Sequence, residues 1–395
     1  MKIVIDENIP YGAEAFETLG EVRAMSGRDV TRDAVKDADM LVVRSITKVN
    51  AKLLGGTRVR FVGTATIGTD HVDTEWLGQN HVGFASAPGS NANSVAEYVM
   101  TALLVLARRK GFRLRDRSIA VMGVGNVGGK VAAKARALGM TVLMNDPPRF
   151  SNPREPNRDR FVEMDEVVLA EPDIVTFHVP LEKGTRWPTF HMAGEAFFDD
   201  LAEGCIFINT SRGGVHVTGA LHDTIDSGKL GAAVLDVWEN EPTIDVELMK
   251  KADIVSPHVA GYSFDGKVNG TRMVYHAACQ HLGAEPTWSP TLPAPPCPAL
   301  KLSAGGGRDP EDVIREAALK VYDIEADDAR MRELAKLPAD QVGPAFDRLR
   351  KEYPVRREFY LTEVELTNAD DKLAGRLERM GFNVKMKLKA PEALR

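Results

Sequence analysis

The sequence predicts an α/β protein with two doubly wound parallel-sheet domains and a small C-terminal α+β domain. Three features predict it. Short β-rich runs alternate with helical stretches from Lys2 to about Glu285, a proline-rich break follows, and a shorter region with its own helical and strand patterns comes last. At 395 residues the chain also exceeds what one core serves, since domains run to roughly 100–200 residues.

In the first series, Lys2–Ile5, Met40–Val43, Arg60–Gly63 and Gly83–Ala85 are short apolar runs that suit buried strands. From Asn91 to about Arg109, Val95, Val99, Ala102, Leu103 and Leu106 recur at helical spacing. A second series then reads Ser118–Val121, Thr141–Met144, Ile174–Phe177, Cys205–Asn209, Ala232–Leu235 and Asp253–Ser256, separated by helical stretches such as Lys130–Leu138 and Gly219–Ser227. Between Glu285 and Leu300, six prolines exclude regular helix and central strand, which marks a linker. Beyond it, Asp312–Leu334 is expected as one amphipathic helix. Phe382, Val384, Met386 and Leu388, alternating with Asn383, Lys385, Lys387 and Lys389, are expected as a half-buried strand after a helix closed by Gly381. The last 95 or so residues are marginal alone and are expected to dock on a second copy, giving a homodimer.

The net charge of −6 argues against a general polyanion binder, so no nucleic-acid partner is expected. No run approaches the ~18 apolar residues of a membrane span. Met1–Glu7 reads as a first strand and not as a leader, so a cytoplasmic location is expected. Cys205, Cys279 and Cys297 have no metal-site or dithiol spacing; they are expected as ordinary thiols, with no metal site.

Gly123-Val124-Gly125-Asn126-Val127-Gly128 follows one expected strand and opens one expected helix. The first glycine permits a tight turn, the second lets a pyrophosphate approach the backbone, and the third lets helix and strand pack. A bare match is often a structural turn, but the next strand ends in Asp146, where an acid reaches ribose hydroxyls and repels a 2′-phosphate. NAD is therefore the expected cofactor, held by Gly123, Gly125, Asn126, Val127, Gly128 and Asp146.

Three further motifs fall at strand ends: Asn209-Thr210-Ser211-Arg212-Gly213-Gly214, Asp236-Val237-Trp238-Glu239-Asn240-Glu241-Pro242, and Pro257-His258-Val259-Ala260-Gly261. An imidazole, with an unperturbed pKa of about 6.5, suits removal of a hydroxyl proton. Glu241 can orient His258, and the Arg212 guanidinium can hold a carboxylate in a fork. Singly, each has a bland alternative: a cap beside Pro257, a surface acid, a solvated turn residue. Together, downstream of a dinucleotide turn, they point to oxidation of a 2-hydroxy acid. Arg44, Ser45 and Thr66 follow early strands and offer an anion site; Arg356 and Arg357 are either a solvated basic pair or phosphate ligands for a partner subunit.

These motifs resemble those of the D-isomer-specific 2-hydroxyacid dehydrogenases. The resemblance extends through Val4–Pro10, Val43–Asn50, Phe61–His71, Asp146–Arg149, Gly261–Ser263 and Leu292–Pro295, which are similar to a branch acting on a phosphorylated acid. It implies that Arg212, Glu241 and His258 are catalytic, with His258 the proton donor in the reductive direction. Asp146, Thr176, Asp236 and Gly261 would contact NAD, and Ser45, Thr66 and Tyr262 the substrate. It also implies a flavodoxin-like substrate domain over 1–95 and 266–285, including a helix near Val268–His281, and a Rossmann cofactor domain over 96–265, with the active site in the cleft. A linker over 286–300 and a dimerisation domain over 301–395 complete the expectation. Two rival readings stay open: a dehydrogenase for 3-phosphoglycerate, and an NAD-sensing binding protein without catalysis.

Overall fold

The structure is a computed structural model that describes residues 1–387, so Leu388 and Lys389 of the expected last strand lie outside the described residues. It consists of two compact units, one of residues 1–92 and 262–294, the other of residues 93–261 and Pro295 onward.

In the first unit, β1 (Lys2–Asp6), β2 (Glu21–Met25), β3 (Met40–Val43), β4 (Phe61–Thr64) and β5 (Gly83–Ala85) form a parallel sheet in the order β2-β1-β3-β4-β5. β3 and β4 are buried throughout, as strands covered on both faces must be. β2 is not among the expected strands, because Glu21 and Arg23 interrupt its apolar pattern; it pairs with β1 at the sheet edge. The helix Phe264–Leu282 lies against β4, where a β-carbon on Gly63 would stand 2.3 Å from Val274. Glycine at that position is what lets the helix approach.

The second unit carries all six strands expected of the second series: β6 (Ser118–Met122), β7 (Thr141–Asn145), β8 (Ile174–Phe177), β9 (Cys205–Asn209), β10 (Leu230–Leu235) and β11 (Ile254–Val255). They run parallel in the order β11-β10-β9-β8-β6-β7, so the winding reverses between β6 and β8. That reversal opens a crevice at the carboxyl ends of those two strands, where ligands of open α/β sheets bind. Between β7 and β8 the chain forms two short α-helices, Pro147–Phe150 and Met164–Leu169, joined by turns, and the Val162 amide donates to the Met144 carbonyl beside β7.

Packed into the same unit is a three-stranded parallel sheet of β12 (Ala299–Ser303), β13 (Glu363–Thr367) and β14 (Asn383–Met386). Leu302, Val364, Leu377 and Phe382 share one apolar core with Val99, Leu103 and Ile119. The single helix expected over 312–334 is instead two, Pro310–Val321 and Ile324–Arg332. Tyr322 is extended between them, and Asp323 caps the second by accepting from the Ala326 amide. β12 begins inside the expected linker, and the helix Ala339–Lys351 was not legible in the pattern. Gly381, at φ 113°, closes the helix Asp371–Met380 as expected. Among the described residues no helix is long and apolar enough to cross a membrane.

Candidate active site

The glycine turn sits between β6 and the helix Asn126–Leu138. Each glycine answers a different demand. Gly123 has φ 84° and lies so close to β8 that a β-carbon would meet the His178 carbonyl at 2.8 Å. Gly128 packs onto the turn itself, with only 1.9 Å between a hypothetical β-carbon and the Gly123 carbonyl oxygen. Around Gly125, in contrast, nothing lies within 4 Å, so its side-chain direction is open to a ligand. A backbone free on that side, capped by no side chain at the helix start, fits a pyrophosphate facing the helix amides.

Asp146 ends β7 beside this turn. Its carboxylate accepts from the Val124 amide at 2.8 Å and caps the short helix Pro147–Phe150 through the Arg149 amide. Arg149 is the cation best placed to attract a 2′-phosphate, but it donates to the Val124 carbonyl and pairs with Glu155 at 2.8 Å. The bond from Arg149 holds the Glu155 carboxyl below its ordinary range. Pairing of this arginine's charge with Glu155 agrees with a preference for NAD.

The catalytic candidates assemble at the carboxyl edge of the same sheet. Arg212 follows β9 and is half-buried; its Nη1 donates to the Ser211 carbonyl. Gly213 is required next, because a β-carbon would strike the Trp238 carbonyl oxygen at 1.9 Å. That close approach presses the loops after β9 and β10 together. Within the loop after β10, the two acids separate. Glu239 accepts from Thr218 and bonds His191 at 2.7 Å, whereas Glu241 bonds Nδ1 of His258 at 2.8 Å and accepts from the Trp238 amide. Asn240 lies between them at φ 60°, which turns the second acid away from the first. Burial by itself would raise the Glu241 carboxyl, but the adjoining imidazole and the Trp238 amide hold it below its ordinary value. It is therefore an anion, oriented to stabilise a positive imidazole.

His258 itself has φ 58°, a left-handed conformation that a β-carbon makes costly. The buried carboxylate of Asp236 holds it there. It accepts from the amides of Val259 at 2.7 Å and Ala260 at 3.0 Å, while the His258 amide donates to the Asp236 carbonyl. Ser256 spends its one hydroxyl hydrogen on Asp236 at 2.6 Å, so the Tyr98 hydroxyl, 2.7 Å away, must be the donor to Ser256. The Asp236 side chain, expected on NAD, is thus largely committed to shaping the His258 turn. Gly261 ends that turn and is partly exposed.

Sequence reasoning did not single out His178. It follows β8 in the crevice, bonding Thr176 through Nε2 at 3.0 Å and Thr210 through Nδ1 at 3.3 Å. Burial pushes its pKa down to about 3, so it is neutral at physiological pH. Thr176, expected on NAD, is itself fully buried. The one available signal was position, since His178 directly follows the strand at which the winding reverses.

In the first unit, Arg44 follows β3 and donates from Nε to the buried Asp6 at 3.1 Å, so part of its charge is neutralised. Ser45 is exposed next to it. Thr66 follows β4; its hydroxyl lies 2.7 Å from that of Thr64, which in turn bonds His71. Tyr262 is partly exposed and stacks under the Lys267 ammonium, 4.3 Å from its ring centre.

Arg356 and Arg357 correct the expectation of a basic pair offered to a partner's cleft. They are only 5% and 3% exposed within their own chain. Arg356 donates to the carbonyls of Ala260 at 3.0 Å and Ser94 at 2.6 Å, and its guanidinium lies 3.7 Å above the Tyr322 ring. Two adjacent charges look solvated in a sequence. Here both lie inside, and carbonyls and an aromatic face from distant segments receive Arg356.

Residues 92–260 match the family described as the NAD binding domain of D-isomer specific 2-hydroxyacid dehydrogenases, and residues 291–381 match a domain of unknown function, DUF3410. The chain is 44% identical over 383 residues to erythronate-4-phosphate dehydrogenase of Proteus mirabilis, covering 97% of this chain and 99% of that protein. It is also 44% identical over 388 residues to the Yersinia pestis protein of that name, covering 98% and 100%. Among solved structures, D-lactate dehydrogenase from Aquifex aeolicus, complexed with NAD and lactic acid, shares the fold with TM-score 0.60 at 24% identity over 72% of this chain and 96% of that one. The 3-phosphoglycerate dehydrogenase of Entamoeba histolytica does so with TM-score 0.59 at 23% identity, over 72% and 95%. With near-complete coverage of the first two relatives, and the glycine turn and the His258–Glu241 pair at one sheet edge, the chain belongs to the erythronate-4-phosphate dehydrogenase family of D-isomer-specific 2-hydroxyacid dehydrogenases.

Proposed function

We propose that this protein oxidises 4-phospho-D-erythronate at C2 with NAD, giving 2-oxo-3-hydroxy-4-phosphobutanoate and NADH, a step of pyridoxal 5′-phosphate biosynthesis. The bond from His258 Nδ1 to Glu241, at the edge that also carries Arg212, is the observation that supports it most. With Nδ1 committed to the anion of Glu241, Nε2 is the nitrogen that takes the C2 hydroxyl proton, and the positive ring it becomes is stabilised in place. Arg212 holds the substrate carboxylate and polarises the C2 oxygen. NAD, when bound by the Gly123–Gly128 turn and Asp146, supplies the hydride acceptor. Gly261, with the backbone at Thr176 and Asp236, adds contacts around it. Arg44, Ser45, Thr66 and Tyr262 receive the rest of the substrate, with Arg44 turned by Asp6 so that only part of its donor set remains for a phosphate.

The protein is proposed to act as a homodimer joined through its C-terminal segment. Val355 and Tyr360 are 61% and 48% exposed there, large apolar side chains that favour a covering surface. Following NADH absorbance with 4-phospho-D-erythronate, 3-phosphoglycerate and D-lactate tests the substrate. Turnover is expected to be fastest with the first, and a clear preference for 3-phosphoglycerate or no signal with either phosphorylated acid would overturn the assignment.

A further inference from the structure

We propose that Arg356 is a positioning residue for the reaction, holding the His258 turn from behind so that the C-terminal segment of the same chain sets the geometry of the catalytic imidazole. This rests on the reading of His258 as the proton acceptor.

Three observations support it. The first is the contact itself. Arg356 donates to the carbonyl of Ala260, two residues after His258, and to the carbonyl of Ser94 at the start of the long helix Ala92–Lys110. The turn is therefore gripped on both sides of its backbone. Asp236 takes the amides of Val259 and Ala260, and Arg356 takes the carbonyl of Ala260. A residue at φ 58° needs such bracing, because a left-handed non-glycine conformation costs on the order of 1–3 kcal/mol and relaxes unless its surroundings over-determine it.

The second observation is how firmly the guanidinium is anchored. A buried arginine without carbonyl, aromatic or acidic neighbours would be strongly destabilising. Arg356 stacks on Tyr322, whose hydroxyl, together with that of Tyr353, donates to the buried Asp327. The neighbouring backbone is tied as well: Glu358 accepts from Ser94 and Asn93, and the Phe359 amide donates to Glu97. This also explains why the expected helix breaks at Tyr322, since the ring must leave the helical path to lie beneath Arg356.

The third observation is that the same C-terminal segment supports the other member of the pair. The helix Ala339–Lys351 brings Gly343 against Pro242 and Thr243, directly after Glu241. Arg350 on that helix is also near enough to help keep the Glu241 carboxyl ionised. Both the imidazole and its orienting carboxylate are backed by residues more than 80 positions away, and a chain ending near residue 295 would have the motifs without the brace.

The test compares wild type, Arg356→Met and Arg356→Lys in full-length protein. Wild-type turnover of 4-phospho-D-erythronate is measured first; its absence would sink the functional reading and say nothing of the brace. With an active wild type, Arg356→Met should retain NAD affinity within about threefold and lose roughly 10- to 100-fold in kcat, the scale of a small misplacement of a reacting group. Arg356→Lys, which keeps the charge and can reach only one carbonyl at a time, should recover part of kcat. A folded Arg356→Met with wild-type kcat, or equal proportional losses in kcat and NAD affinity, overturns the positioning role. If neither variant folds, hydrogen exchange on the wild type decides. Peptides covering 256–261 should lose protection together with those covering 356–362 in mild denaturant. Independent opening of the two overturns the proposal.

Discussion

Two turns at the carboxyl edge of the same sheet solve the same conformational problem in opposite ways. The turn after β6 reaches a left-handed backbone with glycine, at Gly123, and packs tightly with a second glycine, Gly128. The turn after β11 places a histidine at φ 58°, where the β-carbon is a liability, and holds it with Asp236, Ser256, Tyr98 and Arg356. The cofactor turn reaches its left-handed backbone with glycine, with Asp146 and Arg149 bonding only the Val124 backbone within it, and the open side of Gly125 is its function. The catalytic turn must carry an imidazole, so it cannot use glycine, and its conformation is supplied from outside. Where the chemistry needs only backbone, glycine suffices; where it needs a side chain in a strained place, a buried polar scaffold replaces glycine.

The largest expected effect tests the purpose of the second turn. His258→Ala should lower kcat by about 10²–10⁴, the usual contribution of a positioned base, while leaving NAD affinity near wild type in a fluorescence titration. Near-normal turnover would break the contrast, because the strained residue would then have no catalytic purpose.

The next effect divides the two glycines of the first turn. Gly128→Ala forces a β-carbon to 1.9 Å from a backbone carbonyl, and should cost about 1–3 kcal/mol of stability in urea unfolding, together with cofactor binding. Gly125→Ala meets nothing within 4 Å, so it should leave the urea midpoint unchanged and weaken NAD alone. Equal destabilisation by both would mean that Gly125, too, is a packing residue.

Asp236→Asn probes the scaffold. The amide group retains one acceptor but presents a donor toward amide hydrogens, leaving buried groups unpaired at about 1–3 kcal/mol. Thermal unfolding should register that loss, and kcat should fall more than the affinity for NAD. A stable variant with full activity would remove Asp236 from the account.

The last effect, read as a pH slope, concerns Glu97, where the helix Ala92–Lys110 meets the C-terminal segment. Burial raises its pKa from 4.5 to about 8, against the pull of Lys134. An acid raised in the folded state binds a proton there that the unfolded chain gives up. Its contribution is complete below about pH 4.5 and is lost as pH rises through 8. Wild-type urea midpoints should therefore fall between pH 5.5 and 8.5, and Glu97→Gln, a near match for the protonated form, should flatten that slope. An unchanged slope in the variant would assign the pH dependence to another group.

The glycine turn, Asp146 and the six strands of the second unit were readable because each rests on a local pattern: an apolar run, a glycine, an acid at a strand end. The first-unit edge strand Glu21–Met25 escaped because exposed edges tolerate charge and blur the period-two pattern. His178 escaped because its setting depends on strand order, which places β8 beside β6. Arg356 and Arg357 were identified as worth attention but given the wrong surroundings, since two adjacent cations carry no local sign that carbonyls from Ser94 and Ala260 await one of them.

By itself, then, the sequence determined the alternation of strands and helices, the cofactor turn and the three residue types needed to oxidise a 2-hydroxy acid, because backbone conformation and side-chain chemistry are local properties. Only the tertiary structure showed how Glu241, already expected beside His258, reaches it while Glu239 turns away, why that histidine holds a left-handed backbone, and what Arg356 does. Each of these depends on a buried hydrogen bond between segments far apart in the chain, and burial is a property of the packed molecule.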